Sequence, residues 1–191
     1  MRLIPLGLAV ATALACAPAA HAAEIGNNVR CIFDALTIEE REISLILILQ
    51  DMGKGMAGKQ SDAIHGELDK IIGDAEVRCL ARYKWLSGEA GNAKEFAVAG
   101  LMRESIGQTL RLLKQNPGDI DAWFASNKTR LGTARRLAPA DREDLRSKLK
   151  AAGWTELGGR DPLGGALIYA DLLQGQQRLA ANFARNKYYG D

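Results

Sequence analysis

Residues 37–49 read TIEEREISLILIL, and the apolar run that ends the stretch, Leu45 to Leu49, fits a buried strand as well as a buried helix. Periodicity alone does not separate the two over so short a run. The residues in front of it do. Thr37 and Glu40 stand at capping-box spacing, in which the Thr hydroxyl accepts from the backbone N–H three residues on and the Glu carboxylate accepts from the Thr N–H. Glu39 and Glu42 add negative charge where a helix dipole is positive. With Ile43 included, the apolar stretch extends over several turns, and the segment predicts a helix. Apolar nearly all round, it is expected to be the central helix of the domain.

The helical period recurs on both sides. Upstream, Val29, Ile32, Phe33 and Leu36 fall at i, i+3, i+4 and i+7, with Cys31 at the edge of that face. Downstream of Gly53, Gly55 and Gly58, Ser61 is placed to cap a helix carrying Ile64, Leu68, Ile72, Ala75, Cys79 and Tyr83, and Gly73 marks a kink or split within it. Asn92 and Glu95 repeat the cap spacing before Phe96, Met102, Ile106 and Leu110, and Asn116-Pro117-Gly118 ends that helix. Asp119 is expected to cap the next, with Ile120, Trp123, Phe124, Leu131, Ala134 and Leu137 on its inner face. Pro139 opens a short helix, acidic early at Asp141 and Asp144 and basic late at Lys148 and Lys150, which Gly153 closes. A glycine-rich connection, Gly153 to Gly165, leads to a last helix with Ala166, Tyr169, Leu173, Leu179 and Phe183. Period-two alternation is almost absent. The expected fold is all-α, a compact bundle or array of about six or seven helices in a single domain, residues 23–191. The order helix, helix, Trp85, loop, helix recurs around Trp154, which suggests a divergent three-helix duplication over 37–115 and 119–190.

The compartment is read from the first residues and the cysteines. Arg2, an apolar stretch from Leu3 to Ala15 and Ala20-His21-Ala22 match a secretory signal, residues 1–22, cleaved after Ala22. Pro5 and Gly7 interrupt the run, which is shorter than the roughly 20 residues of a membrane span, so no transmembrane segment is expected in the mature chain. Cys16 gives an alternative, the lipid-acceptor cysteine of a lipoprotein, against which stands Ala13 where a Leu is usual. Cleavage leaves Cys31, Cys79 and His65 as the cysteines and histidine of the mature chain. In an oxidising compartment the two cysteines are expected to form a disulfide. Their 48-residue separation makes it worth about 4 kcal/mol in the chain-entropy model. Periplasmic or secreted location follows. A formal charge of +2 is too small to draw nucleic acid or an anionic membrane by itself.

Chemistry-bearing patterns are sparse. His65 lies between Asp62 and Asp69 with Glu67 nearby, but the Glu-x-x-His pairs of a di-metal bundle are missing, so a surface histidine and no metal or cofactor are expected. Ser147 and Lys150 satisfy S-x-x-K without the S-D-N and K-T-G partners that acyl transfer requires. Glu104-Ser105, after Leu101-Met102-Arg103, resembles the catalytic-glutamate motif of lytic transglycosylases, exported helical enzymes that cleave peptidoglycan. The resemblance spans about five residues and implies a general acid at Glu104. The Gly-Leu-Met-Gln segment expected downstream is replaced by Gly107-Gln108-Thr109-Leu110.

Two segments have residue types suited to binding. The Gly153–Gly165 connection combines glycines with Trp154, Leu157 and Arg160, which either anchor a contact or pack back on the bundle. Lys128, Arg130, Arg135, Arg136 and Arg142 form a basic segment, a solvated helix face or a surface for an acidic partner or anionic polymer. The leading expectation is an exported helical binding or interaction protein, accessory, inhibitor or immunity-like, whose partner is another envelope protein and which has no catalytic role. The alternatives are a peptidoglycan-acting hydrolase using Glu104 and a small-ligand binder with a pocket between helices.

Overall fold

A computed structural model describes residues 28–53, 59–155 and 161–188. Within them a 3₁₀ turn, Asn28–Arg30, precedes seven α-helices, and there is no strand among the described residues. The helices are α1 (Cys31–Ala35), α2 (Ile38–Gly53), α3 (Lys59–Tyr83), α4 (Ser87–Leu112), α5 (Pro117–Leu131), α6 (Pro139–Ala151) and α7 (Pro162–Tyr188). Residues 1–22, expected from the sequence to be a secretory signal, lie outside the described residues, as does Cys16 within them. No helix among those described is long and apolar enough to cross a membrane.

The spine of the molecule is an antiparallel pair, α4 and α7. Gln176 Nε2 donates to the carbonyl of Phe96 in the first half of α4, while Gly165, near the start of α7, lies against Ile106 and Leu110 in the second half. Two hydrophobic cores form along this pair. The first gathers Ile32, Phe33, Ile48, Ile72, Trp85 and Leu101 from α1 to α4 and takes Phe183 from the far end of α7. The second gathers Ile120, Trp123, Leu145 and Leu149 from α5 and α6 around Ile106 and Leu110 of α4 and Ala166 of α7. The cores therefore do not follow the halves 37–115 and 119–190, because α4 and α7 each serve both.

The expectation that α2 is central is corrected. Its outer side is open: Ile38 is 80% exposed, Ile46 54% and Leu49 40%. The central place goes to α4, which is less apolar but smaller in section. Ala93 and Ala97 are fully buried there, and a Cβ added at Gly100 would lie 2.8 Å from the Phe33 ring. Close approach on several sides needs small residues, and a helix of Leu and Ile offers none.

Local signals set some boundaries and distant contacts the others. The capping box forms as read: Thr37 N–H donates to Glu40 Oε2 at 2.8 Å, and Glu40 N–H to Thr37 Oγ1 at 3.1 Å. Arg78 of α3 donates to the same Glu40 oxygen and to the Ala35 carbonyl, tying the α1–α2 corner to α3. The Thr37 N–H first, then the Arg78 guanidinium, hold the Glu40 carboxyl below the usual carboxylate range. Other expectations are corrected. α3 starts two residues before Ser61 and runs unbroken through Gly73. α4 starts at Ser87, where Glu89 reaches back to accept from Leu86 N–H at 2.9 Å; Asn92 is interior and donates to the Gly88 carbonyl. Asn116, not Asp119, caps α5 by accepting from Gly118 N–H at 3.0 Å. α7 begins at Pro162, before Gly165.

α5 stops at Leu131, well short of Leu137, and Gly132 turns the chain with φ +58°. α7 takes over the freed backbone groups. The buried Gln174 amide shares its hydrogens among the carbonyls of Leu131, Gly132 and Ala134 at 3.1–3.2 Å, and Gln177 donates to the Gly132 carbonyl. One turn earlier, Asp171 accepts from Leu137 N–H at 3.0 Å and pairs with Arg142. A helix end inside the protein needs such donors, because its last carbonyls have no partner within the helix.

The Cys31–Cys79 disulfide is formed, with Cα atoms 6.0 Å apart, and joins the first turn of α1 to the inner face of α3. Beside it Trp85 stacks on Tyr83 and meets Phe183 edge-on.

Candidate functional site

Helices α2, α3 and α4 line a pocket of about 300 Å³ that opens to the surface at His65 and Asp69. Its walls are Ile48 of α2, Ile64 and Leu68 of α3, and Val98 and Met102 of α4. Each helix supplies residues three or four apart, which stand on one face. Three polar side chains complete the lining: Asp51, His65 and Asp69.

Asp51 follows Ile48 by three residues and is only 7% exposed, so the helical phase that buries the apolar residues of α2 also turns this carboxylate inward. His65 Nε2 lies 3.1 Å from Asp51 Oδ2. A carboxylate only accepts, so Nε2 carries the hydrogen, and the pair orients an exposed imidazole beside the cavity. The carboxylates expected beside His65 play other parts. Asp69 pairs with Lys94 of α4 at 3.3 Å, bridging two walls. Among the described residues no group of three or more His, Cys, Asp or Glu is placed to hold a metal ion.

Glu104 points elsewhere. Arg41 of α2 donates to its Oε2 from Nε at 2.8 Å and lies against it with Nη2 at 2.7 Å, while the same guanidinium sits 4.4 Å above the Phe33 ring. A glycosidase acid has to present a proton to a sugar oxygen, whereas this oxygen is taken up by a guanidinium that braces α2 against α4.

Of the two readings of the Gly153–Gly165 segment, Trp154 follows the one in which it packs back on the bundle. Trp154 is 2% exposed, lies in the second core and donates from Nε1 to Asp119 Oδ2 at 3.0 Å. Leu157 and Arg160 lie outside the described residues. The basic segment divides. Arg130 pairs with Asp141 and Arg142 with Asp171, both struts between elements. Arg135 and Arg136 are exposed, but on the link after α5 rather than on a helix face. Ser147 and Lys150 are exposed on the outer side of α6.

Sequence reasoning passed over Asp51, although a signal was there. Ser44, Leu47, Ile48 and Asp51 share one buried phase, and an acid in that series at the end of an apolar helix is out of character with its neighbours. It also passed over a shallow groove between α5 and α6, where Trp123 Nε1 donates to Asp144 at 2.7 Å beside Asn127 and Lys148.

No protein-family model, curated protein or solved structure matches the chain.

Proposed function

We propose that the chain is an exported binding protein, without a catalytic role, that takes a small apolar ligand between α2, α3 and α4. The observation that carries this reading is the pocket, with its apolar walls and a buried carboxylate, Asp51, paired with the exposed imidazole of His65. Few polar groups on an otherwise apolar lining are the usual make-up of a ligand site, and the volume falls at the small end of the range of about 300 to 1,000 Å³. Export, to the periplasm or beyond, is supported by the pattern of residues 1–22 and by the disulfide, which persists in oxidising compartments.

The test is a mass measurement under native conditions on residues 23–191 after incubation with a small-molecule extract of the cell envelope. Wild type is expected to retain an added mass and to melt several degrees higher with it. Leu68→Trp, which fills the cavity, is expected to lose both while keeping its helical circular dichroism. An extract that leaves mass and melting unchanged overturns the reading.

A second reading, contact with another envelope protein, is favoured by the open side of α2. Ile46 and Leu49 are exposed there, and Arg135 and Arg136 offer charge to an acidic partner. The peptidoglycan-hydrolase alternative draws no support from Glu104, whose Oε2 is occupied by Arg41. Peptidoglycan remains an outcome to be scored in the same extract.

A further inference from the structure

We infer that a groove between α4, α5 and α7 is a second binding site, and that it takes a carboxylate with an apolar body, the carboxylate held by Arg103. The groove shares no lining residue with the pocket of α2, α3 and α4, and the inference does not rest on that pocket.

The groove holds about 430 Å³, within the range of about 300 to 1,000 Å³ in which small ligands are bound. Phe96 of α4, Phe124 of α5 and Leu173 of α7 give it an apolar lining, and Ala125 and Ala180 are too small to fill it. The head group follows from Arg103. Arginines that bridge helices elsewhere each meet a carboxylate: Arg41 meets Glu104, Arg78 meets Glu40 and Arg142 meets Asp171. Arg103, half-buried on α4, has no carboxylate partner and donates no hydrogen bond among the described residues; its guanidinium lies 5.8 Å from the centre of the Tyr169 ring. A guanidinium has five N–H donors in a planar fork that matches the two oxygens of a carboxylate. The carboxylate of the lining, Asp121, is turned to another partner, with both oxygens within 3.2 Å of the Tyr169 hydroxyl. Lys128 lines the same groove, and Arg111 stands beside Tyr169, its Nη1 4.0 Å from where a Cβ at Gly107 would lie. Arg103, Arg111 and Lys128 thus set three positive charges against the one of Asp121, a field that draws an anion. The nearness of Asp121 weighs against a doubly charged head group such as a phosphate and leaves the singly charged carboxylate. Phe96 stands two turns before Arg103 on the same face of α4, so a carboxylate on Arg103 has its carbon body directed along the aromatic lining.

The experiment is a titration of the unaltered mature chain, residues 23–191, with three probes of equal length, 3-phenylpropionate, 3-phenylpropanol and 3-phenylpropylamine, followed by calorimetry and by NMR shifts of isotope-labelled protein. Phenylpropionate is expected to bind at least ten-fold more tightly than either of the others, with the largest shifts at Arg103, Phe124 and Leu173. Arg103→Met is expected to bring its affinity down to that of the alcohol. Ala125→Trp, a change at an exposed position that fills the groove, is expected to abolish binding of all three. The alcohol or the amine binding as tightly as phenylpropionate overturns the inference, as does failure of all three to bind. Shifts centred on Ile48 and Met102 instead place the probe in the other pocket, which overturns this site and supports that one. An acidic peptide that binds the groove where phenylpropionate does not makes it a protein contact and overturns the inference as well. Because the ranking of probes is made on the wild-type chain, it decides the matter even if Arg103→Met does not fold.

Discussion

Tyr169 shows how a single side chain reports its surroundings. Its ring is 7% exposed between α4 and α7, and its hydroxyl donates to the Asp121 carboxylate at 3.1 Å. Burial first, and then the Asp121 charge, push the phenol up to about 12, with the Arg103 guanidinium acting in the opposite direction. In the unfolded chain the phenol ionises near its ordinary value of about 10. Between pH 10 and 12, therefore, the folded chain holds a proton that the unfolded chain has lost, and stability falls as pH rises through that interval. Below it the contribution is complete. Urea midpoints measured across this interval are expected to decline more steeply for wild type than for Tyr169→Phe; parallel slopes would assign the decline to other groups. Tyr169 was legible as an inner-face residue from its spacing with Ala166 and Leu173. Its partner Asp121, 48 positions away, was not, because nothing local marks a hydrogen bond between helices.

The helix ends separate what sequence signals from what only the fold decides. The Thr37–Glu40 box, Pro139 and Gly153 are local devices, and each helix boundary they mark is where they put it. The start of α4 and the end of α5 were misread because neither depends on a capping residue of the usual kind. Glu89 reaches back three residues in one case, and Gln174 and Gln177 reach across from another helix in the other. The C-terminus of α4 carries a correctable strain. Lys114 has φ 58°, where Gln115 N–H closes on the Leu110 carbonyl at 2.9 Å. The same left-handed place after α6 is filled by Gly153, with φ 90°. A non-glycine residue there costs about 1 kcal/mol. Lys114→Gly is accordingly expected to raise the melting temperature by roughly 2 to 4 °C. A lower Tm in scanning calorimetry would show that the lysine makes a compensating contact.

At the scale of the molecule the all-helical class and the disulfide were readable, one from period and the other from compartment and count. The arrangement was not. Apolar content pointed to α2 as the centre, whereas the choice turned on which helix is slim enough to be approached from several sides, a property carried by Ala93, Ala97 and Gly100. Sharing α4 and α7 between two cores predicts that they melt together. Leu101 in the first core and Leu145 in the second are both fully buried, and truncating either to Ala is expected to cost about 2 to 5 kcal/mol. Each variant should displace one and the same calorimetric transition; a transition that splits in two would mean that the cores unfold independently. The candidate cavity belongs to this scale too, since its walls come from three helices and no segment announces it. The disulfide has one more consequence, for proteolysis. The bond makes residues 31–79 a closed covalent ring, with the α2–α3 connection inside it. A protease that cuts this connection opens the ring but frees no fragment. The nicked protein keeps its full mass on a non-reducing gel and comes apart into two pieces only when reductant and denaturant are applied together.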